Sequence, residues 1–160
     1  MRVLSYKILF FFIVVFTELR SKDFALVHSV NFSNLLVKIA LDLESKQEGL
    51  MHLKQLKNHN GMLFIYNTPQ IVKFWMYNTL IPLDIIFIDD RNIISSIKEG
   101  IPMEKKLISS DINISAVLEI PKGCAKELKI KKGENISWMF KKASEIKNIG
   151  YFHCLNPKEK

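Results

Sequence analysis

Short apolar runs, each closed by a turn signal, succeed one another from Leu35 to Ile120. No helical apolar spacing is sustained between them, which argues against a parallel sheet built on crossover helices. In Leu35-Leu36-Val37-Lys38-Ile39-Ala40-Leu41-Asp42, alternation puts Leu35, Val37, Ile39 and Leu41 on one face of a half-buried strand. Asp42 is placed to cap one or two helical turns over residues 44–48, which Gly49 ends. Further strands are expected at 61–66, 72–77, 83–89, 93–98 and 116–120, with turns at His59-Asn60-Gly61, Asn67-Thr68-Pro69-Gln70 and Asp90-Arg91-Asn92. A short helix is expected over 124–130, and 141–160 suggests no element. The pattern predicts a mainly β fold: a small antiparallel barrel-like or sandwich domain with one or two short helices.

Ahead of this body lies an unbroken apolar run, Ile8 to Phe16, preceded by Arg2 and Lys7. A membrane-spanning helix needs about 20 apolar residues. The run is about half that and has the character of a secretory signal, though Thr17-Glu18-Leu19-Arg20-Ser21 makes a poor cleavage site. The expected location is therefore exported: periplasmic, or anchored at the outer face of the inner membrane.

The formal charge of +7 belongs to the end of the chain. Residues 121–160 carry ten lysines, no arginine and four glutamates. Lysines keep an end solvated and attract anionic surfaces. Without arginine the segment lacks the bidentate donor that reads phosphates and bases, so nucleic acid is not the expected partner. Peripheral contact with a membrane fits the same charge. Two cysteines are too few for a disulfide scaffold or a four-thiolate zinc site, but Cys124 and Cys154 could pair in an exported chain.

Gly49-Leu50-Met51, Gly61-Met62-Leu63-Phe64, the run from Phe74-Trp75-Met76-Tyr77-Asn78-Thr79 through Pro82-Leu83-Asp84 to Asp89, and Val117-Leu118-Glu119-Ile120 before Gly123 form a recognisable series. It resembles the DUF192 family, small and usually exported proteins of unknown function, over about residues 35–137. The resemblance implies a compact β-rich, barrel-like domain and no established reaction. It departs where the family tends to carry Arg, at Lys46 and Leu53, and where Asn92 replaces a turn glycine. The expected organisation is a signal or anchor over 1–25, the β domain over 31–137 and a lysine-rich extension over 138–160.

Phe74 to Thr79 is the most distinctive segment on physical grounds. As a strand it turns Phe74, Met76 and Asn78 one way and Trp75, Tyr77 and Thr79 the other. Either both sets pack, or Trp75 and Tyr77 line a pocket with Asn78, Thr79 and Asp84 as polar anchors. Asp84 interrupts an apolar run and must be paired, hydrogen-bonded or solvated. The expected partners are backbone N–H groups of the Asn78-Thr79 turn. Asp89-Asp90 reads as a turn pair. Met51, Met62, Met76 and Met103 with His52 and His59 show no Met-x-Met or His-x-His spacing, so core filling is preferred to Cu(I) ligation. No metal, cofactor or catalytic residue is expected, since no nucleophile elbow, P-loop, H-E-x-x-H or C-x-x-C occurs. The expected function is a non-enzymatic binding or accessory domain of the cell envelope, recognising an unknown ligand or protein. The alternatives are a small hydrolase using Asp84 with His52 or His59, and an anionic-surface binder acting through the basic tail.

Overall fold

The computed structural model describes residues 23–146 and Cys154. The apolar run Ile8–Phe16 lies outside the described residues. Nine strands and three short helices follow one another: β1 (Phe24–Ser29), β2 (Phe32–Ala40), α1 (Leu43–Glu48), β3 (Met62–Gln70), β4 (Lys73–Phe74), β5 (Leu83–Ile88), β6 (Ile94–Gly100), β7 (Ile108–Ser109), β8 (Ile114–Pro121), α2 (Cys124–Glu127), β9 (Ile136–Lys141) and α3 (Ala143–Ile146). Seven strands make one curled sheet in the order β6-β5-β8-β3-β2-β1-β9, and β4 with β7 makes a small second sheet. The fold is mainly β and half-barrel in form. Its pairings are antiparallel except β2 with β3, which run parallel across the connection that holds α1. The outer strands meet at one corner, where Ile94 N–H donates to Glu134 O and Ile136 N–H to Asn92 O, both at 2.9 Å.

The curl divides the apolar side chains between two clusters. Ala25, Val27, Leu35, Val37, Leu63, Ile86, Ile88, Ile94, Leu118 and Ile120 fill the inside, where α2 adds Cys124, Ala125 and, just beyond, Leu128. Phe64, Phe74, Met76, Leu83, Ile85, Phe87 and Val117 pack on the outside with Leu50. Strand β5 lies between β6 and β8 and is covered on both faces. That is why it reads as an almost continuous apolar run.

Several elements differ from the sequence expectation for identifiable reasons. The sheet reaches past both domain boundaries drawn from sequence, because β1 pairs with β9 from Phe24↔Lys141 to Ser29↔Ile136. Asn67 to Gln70 do not turn the chain. They continue β3 as an exposed stretch, with the register to β8 broken between Ile65 and Gln70. Leu41 falls after the end of β2 and is exposed rather than packed. Asp42 does cap α1, accepting from Ser45 N–H at 2.8 Å.

The largest difference is at 72–77, where only Lys73 and Phe74 form a strand. Alternation nevertheless survives. Phe74 stands edge-on to Phe64 at 5.0 Å and to Phe87 at 6.2 Å, whereas Trp75 is 49% exposed. Phe74→Ala should therefore cost about 3–5 kcal/mol, the range for a large core cavity. Trp75→Ala should stay within about 1 kcal/mol, as surface changes do. Urea midpoints of the two variants test this, and a reversed order would place the indole in the core.

Candidate functional site

Trp75 and Tyr77 form an exposed aromatic pair on a loop fastened by backbone hydrogen bonds. Their rings lie 5.4 Å apart, tilted, with Tyr77 39% exposed. The frame is made by backbone hydrogen bonds to two other loops. His52 N–H donates to Asn78 O, Met76 N–H to Glu104 O and Met103 N–H to Thr79 O, at 2.9–3.1 Å. Asn78 takes a left-handed conformation, φ 56, which Asn tolerates better than most residues. Thr79 is buried, and its hydroxyl donates to Tyr77 O. Lys105 Nζ lies 5.7 Å from the Tyr77 ring centroid, within cation–π range. Leu80, Ile101, Met103 and Leu107 are exposed on the same pair of stapled loops. This tip presents apolar surface with few polar anchors.

Asp84 does not join it. Alternation along β5 sends Leu83, Ile85 and Phe87 to the outer cluster, where Phe74 and Met76 lie, and Ile86 and Ile88 to the inner one. Asp84 shares the face of Ile86. Its partner is also not the Asn78-Thr79 turn: one oxygen, Oδ2, accepts from Gly123 N–H and Ala125 N–H at 2.9 Å each. The carboxylate thus fixes the turn between β8 and α2. The sequence required a partner for this carboxylate in an apolar run, and the turn after β8 and the start of α2 supply it.

A second carboxylate, Glu119, has a stronger claim to unusual chemistry. It is 5% exposed on β8, opposite Met62 and Ile85. Among the described residues it makes no hydrogen bond or ion pair. Burial pushes its carboxyl up to about 8. A Cβ added to Gly49 would lie 3.4 Å from the Phe64 ring and 4.0 Å from Glu119 Oε2, so the segment after α1 lies directly over the acid. Tyr66 is pushed up to about 12 by burial and by the Glu119 charge. Lys46 Nζ sits 4.7 Å from the Tyr66 ring centroid and donates to Leu41 O, and burial lowers its pKa. The signal for Glu119 was in the sequence. Like Asp84, it is a lone carboxylate in an apolar run, Ala116 to Ile120.

The remaining candidates are accounted for structurally. Burial pushes the Asp89 carboxyl up, but Ile93 N–H and the Arg91 backbone and guanidinium more than offset this and hold it low. Asn92, at φ 61, supplies the left-handed turn residue for which glycine is usual. His59 is buried against Gly61, with Nδ1 2.9 Å from its carbonyl oxygen. Burial and the Lys38 charge lower its pKa, against the effect of that carbonyl. His52 is exposed, and no hydrogen bond or ion pair joins either histidine to Asp84 among the described residues. Met62 and Met76 belong to the outer core, whereas Met103 is exposed. Cys124 and Cys154 are bonded, with Cα atoms 5.7 Å apart.

Two expectations follow for the carboxylates. Both bonds to Asp84 fall on one oxygen, so an amide oxygen can accept them. Asp84→Ala should cost about 1–3 kcal/mol through two orphaned N–H groups, and Asp84→Asn clearly less. Equal losses in urea unfolding would contradict this arrangement. For Glu119 the folded pKa lies above the unfolded value of 4.5. Between that value and about 8 the folded chain holds a proton that the unfolded chain has lost. The stability is complete below 4.5 and falls as pH rises through that window, at up to about 1.4 kcal/mol per pH unit. Glu119→Gln removes this slope, so the difference between wild-type and variant stability should change steadily from pH 5 to 8 in the variant's favour. Parallel profiles would show that the folded acid is ionised.

Comparison with known proteins agrees with this architecture. The family model DUF192, described as "Uncharacterized ACR", matches residues 26–138. A crystal structure of a protein of unknown function from Novosphingobium aromaticivorans is 31% identical, with a TM-score of 0.64, and the match covers 72% of this chain and 84% of that one. A second, named a "putative transcription regulator" from Sinorhizobium meliloti, is 29% identical with a TM-score of 0.66, covering 72% of this chain and 92% of that one. No curated protein matches. With more than half its length matched, from β1 into β9, the chain belongs to the DUF192 family.

Proposed function

We propose that this DUF192 protein is an exported, non-enzymatic binding domain of the cell envelope, and that it binds through the tip bearing Trp75 and Tyr77. The exposed aromatic pair carries the reading. Two large rings held in water by a loop fastened at His52, Met103 and Glu104 are preorganised, so little ordering entropy opposes binding. Asn78 and Thr79 belong to this site as its frame, and Asp84 does not.

Export is supported by the signal character of Ile8–Phe16 behind Arg2 and Lys7, and by the Cys124–Cys154 bond, which is at home in an oxidising compartment. A hydrolase reading is less favoured. Asp84 is committed to two backbone donors, and Glu119 and its titratable neighbour Tyr66 are both withdrawn by burial.

The test has two arms. A reporter active only outside the cytoplasm, fused after residue 30, should be active, and deleting Ile8–Phe16 should silence it. An unchanged distribution removes export from the reading. In a thermal-shift panel of envelope sugars, peptides and lipids, a true ligand should raise the wild-type midpoint and should fail to raise that of Trp75→Ala. A shift that survives the substitution moves the site elsewhere.

A further inference from the structure

The registers of β5, β6 and β8 bring two unrelated surface features to one end of the molecule. Leu83 is opposite both Gly100 and Pro121, so the segments following Gly100 and Pro121 and the one preceding Leu83 leave the sheet together. Lys122 N–H donates to Pro82 O at 2.9 Å and ties them further. On the outer side of this end lies the apolar tip with Trp75, Tyr77, Leu80, Ile101, Met103 and Leu107 exposed. On the inner side opens a cleft of about 530 Å³ lined by Ile97, Ile130, Lys122, Lys126, Lys129 and Lys131. Asp84 also lines it and Glu99 pairs with Lys122, which leaves the cleft positive. Lys105 and Lys106 add charge beside the tip.

Two of these side chains are held on left-handed backbone, Met103 at φ 63 and Lys129 at φ 55. Local turns account for both: Glu104 N–H donates to Ile101 O at 3.2 Å across Pro102-Met103, and Lys129 lies just past the end of α2, with Ile130 N–H donating to Ala125 O at 2.8 Å. One is an exposed apolar group of the tip, and the other is a lysine of the cleft.

We propose that this end of the sheet docks on the surface of an anionic phospholipid membrane. Trp75 and Tyr77 enter the interface with the apolar fringe, and the lysine cleft receives a phosphate headgroup. The inference deepens the envelope-binding reading by naming its partner. Three features select a lipid surface. Aromatic rings with a wet edge and an apolar body favour the water–acyl boundary. Lysines flanking apolar groups are drawn to anionic leaflets. The apolar tip and the cationic cleft lie at the same end of one sheet, on its two sides, which suits an extended partner surface better than a small soluble ligand.

The chain has two tryptophans, which makes the contact readable. In the full-length Trp138→Phe variant the emission belongs to Trp75. Phosphatidylglycerol vesicles should shift it to the blue, and brominated acyl chains should quench it. Phosphatidylcholine vesicles should do neither. The full-length Trp75→Phe variant leaves Trp138, on β9, whose emission should not be quenched, which separates docking at the tip from any contact made by Ile8–Phe16. Lys126→Glu with Lys129→Glu should weaken partition by about tenfold or more. Unmoved Trp75 emission with anionic vesicles overturns the proposal, as does equal partition into the two lipids. Should Trp138→Phe fold poorly, wild-type quenching less that of Trp75→Phe gives the same quantity. The reporter assay fails or succeeds independently of these vesicle measurements, so loss of export and loss of docking are told apart.

Discussion

Strands β5 and β8 have almost no face turned to water, and the rest of the molecule is arranged around that constraint. Most side chains on them enter one of two apolar clusters, so a carboxylate there must find donors or have its charged form disfavoured. Asp84 meets the first condition through two amide donors, and in doing so fixes the turn that seats α2 against the inner cluster. Glu119 has no such donor among the described residues, and burial beneath Gly49 pushes its carboxyl up, toward the second. The same pair of strands ends at a common row, Leu83 with Gly100 and Pro121. The loops that leave from that row are the ones carrying the exposed aromatic pair and the lysine cleft.

Much of the sheet was legible because burial on one or both faces writes itself into the residue pattern. Leu83 to Ile88 could be little other than a covered strand, and Asp42 before a Gly-terminated polar stretch could be little other than a cap. Features settled by distant parts of the chain were not legible. Strand β1 follows directly on a segment with signal character, and β9 opens the lysine-rich end. Each is stabilised by the other and by β2, which no local pattern announces. Phe74 to Tyr77 alternates like a strand because its even positions are pulled into the outer core. Only two of its residues find a paired edge, in β7.

The candidate site divides along the same line. Trp75, Tyr77, Asn78 and Thr79 are neighbours in sequence and remain together in space. Asp84 was grouped with them by proximity along the chain, and one strand's alternation was enough to send it through the sheet. Glu119 carries the same sequence signal as Asp84, a lone carboxylate in an apolar run. In an isolated apolar run, a carboxylate that will find amide donors looks the same as one that will find none. The difference lies in β8's neighbours: Asp84 faces the start of α2, and Glu119 faces Met62, Ile85 and the Phe64 ring.

The unpaired acid bears on the tip because the two are joined by a short stretch of backbone. Gly49 closes over Glu119, and three residues later His52 N–H holds the carbonyl of Asn78. Burial raises the pKa of the acid and so favours its neutral form beneath the segment from Gly49 to His52. An ionised carboxylate beneath that segment would be poorly solvated, which disfavours the charged form. Lifting the segment would cost the bond to Asn78 and loosen one of the three fastenings of the aromatic loop. The other two run to Met103 and Glu104 and do not pass over the acid. The tip is therefore held by one fastening next to the buried acid and two away from it.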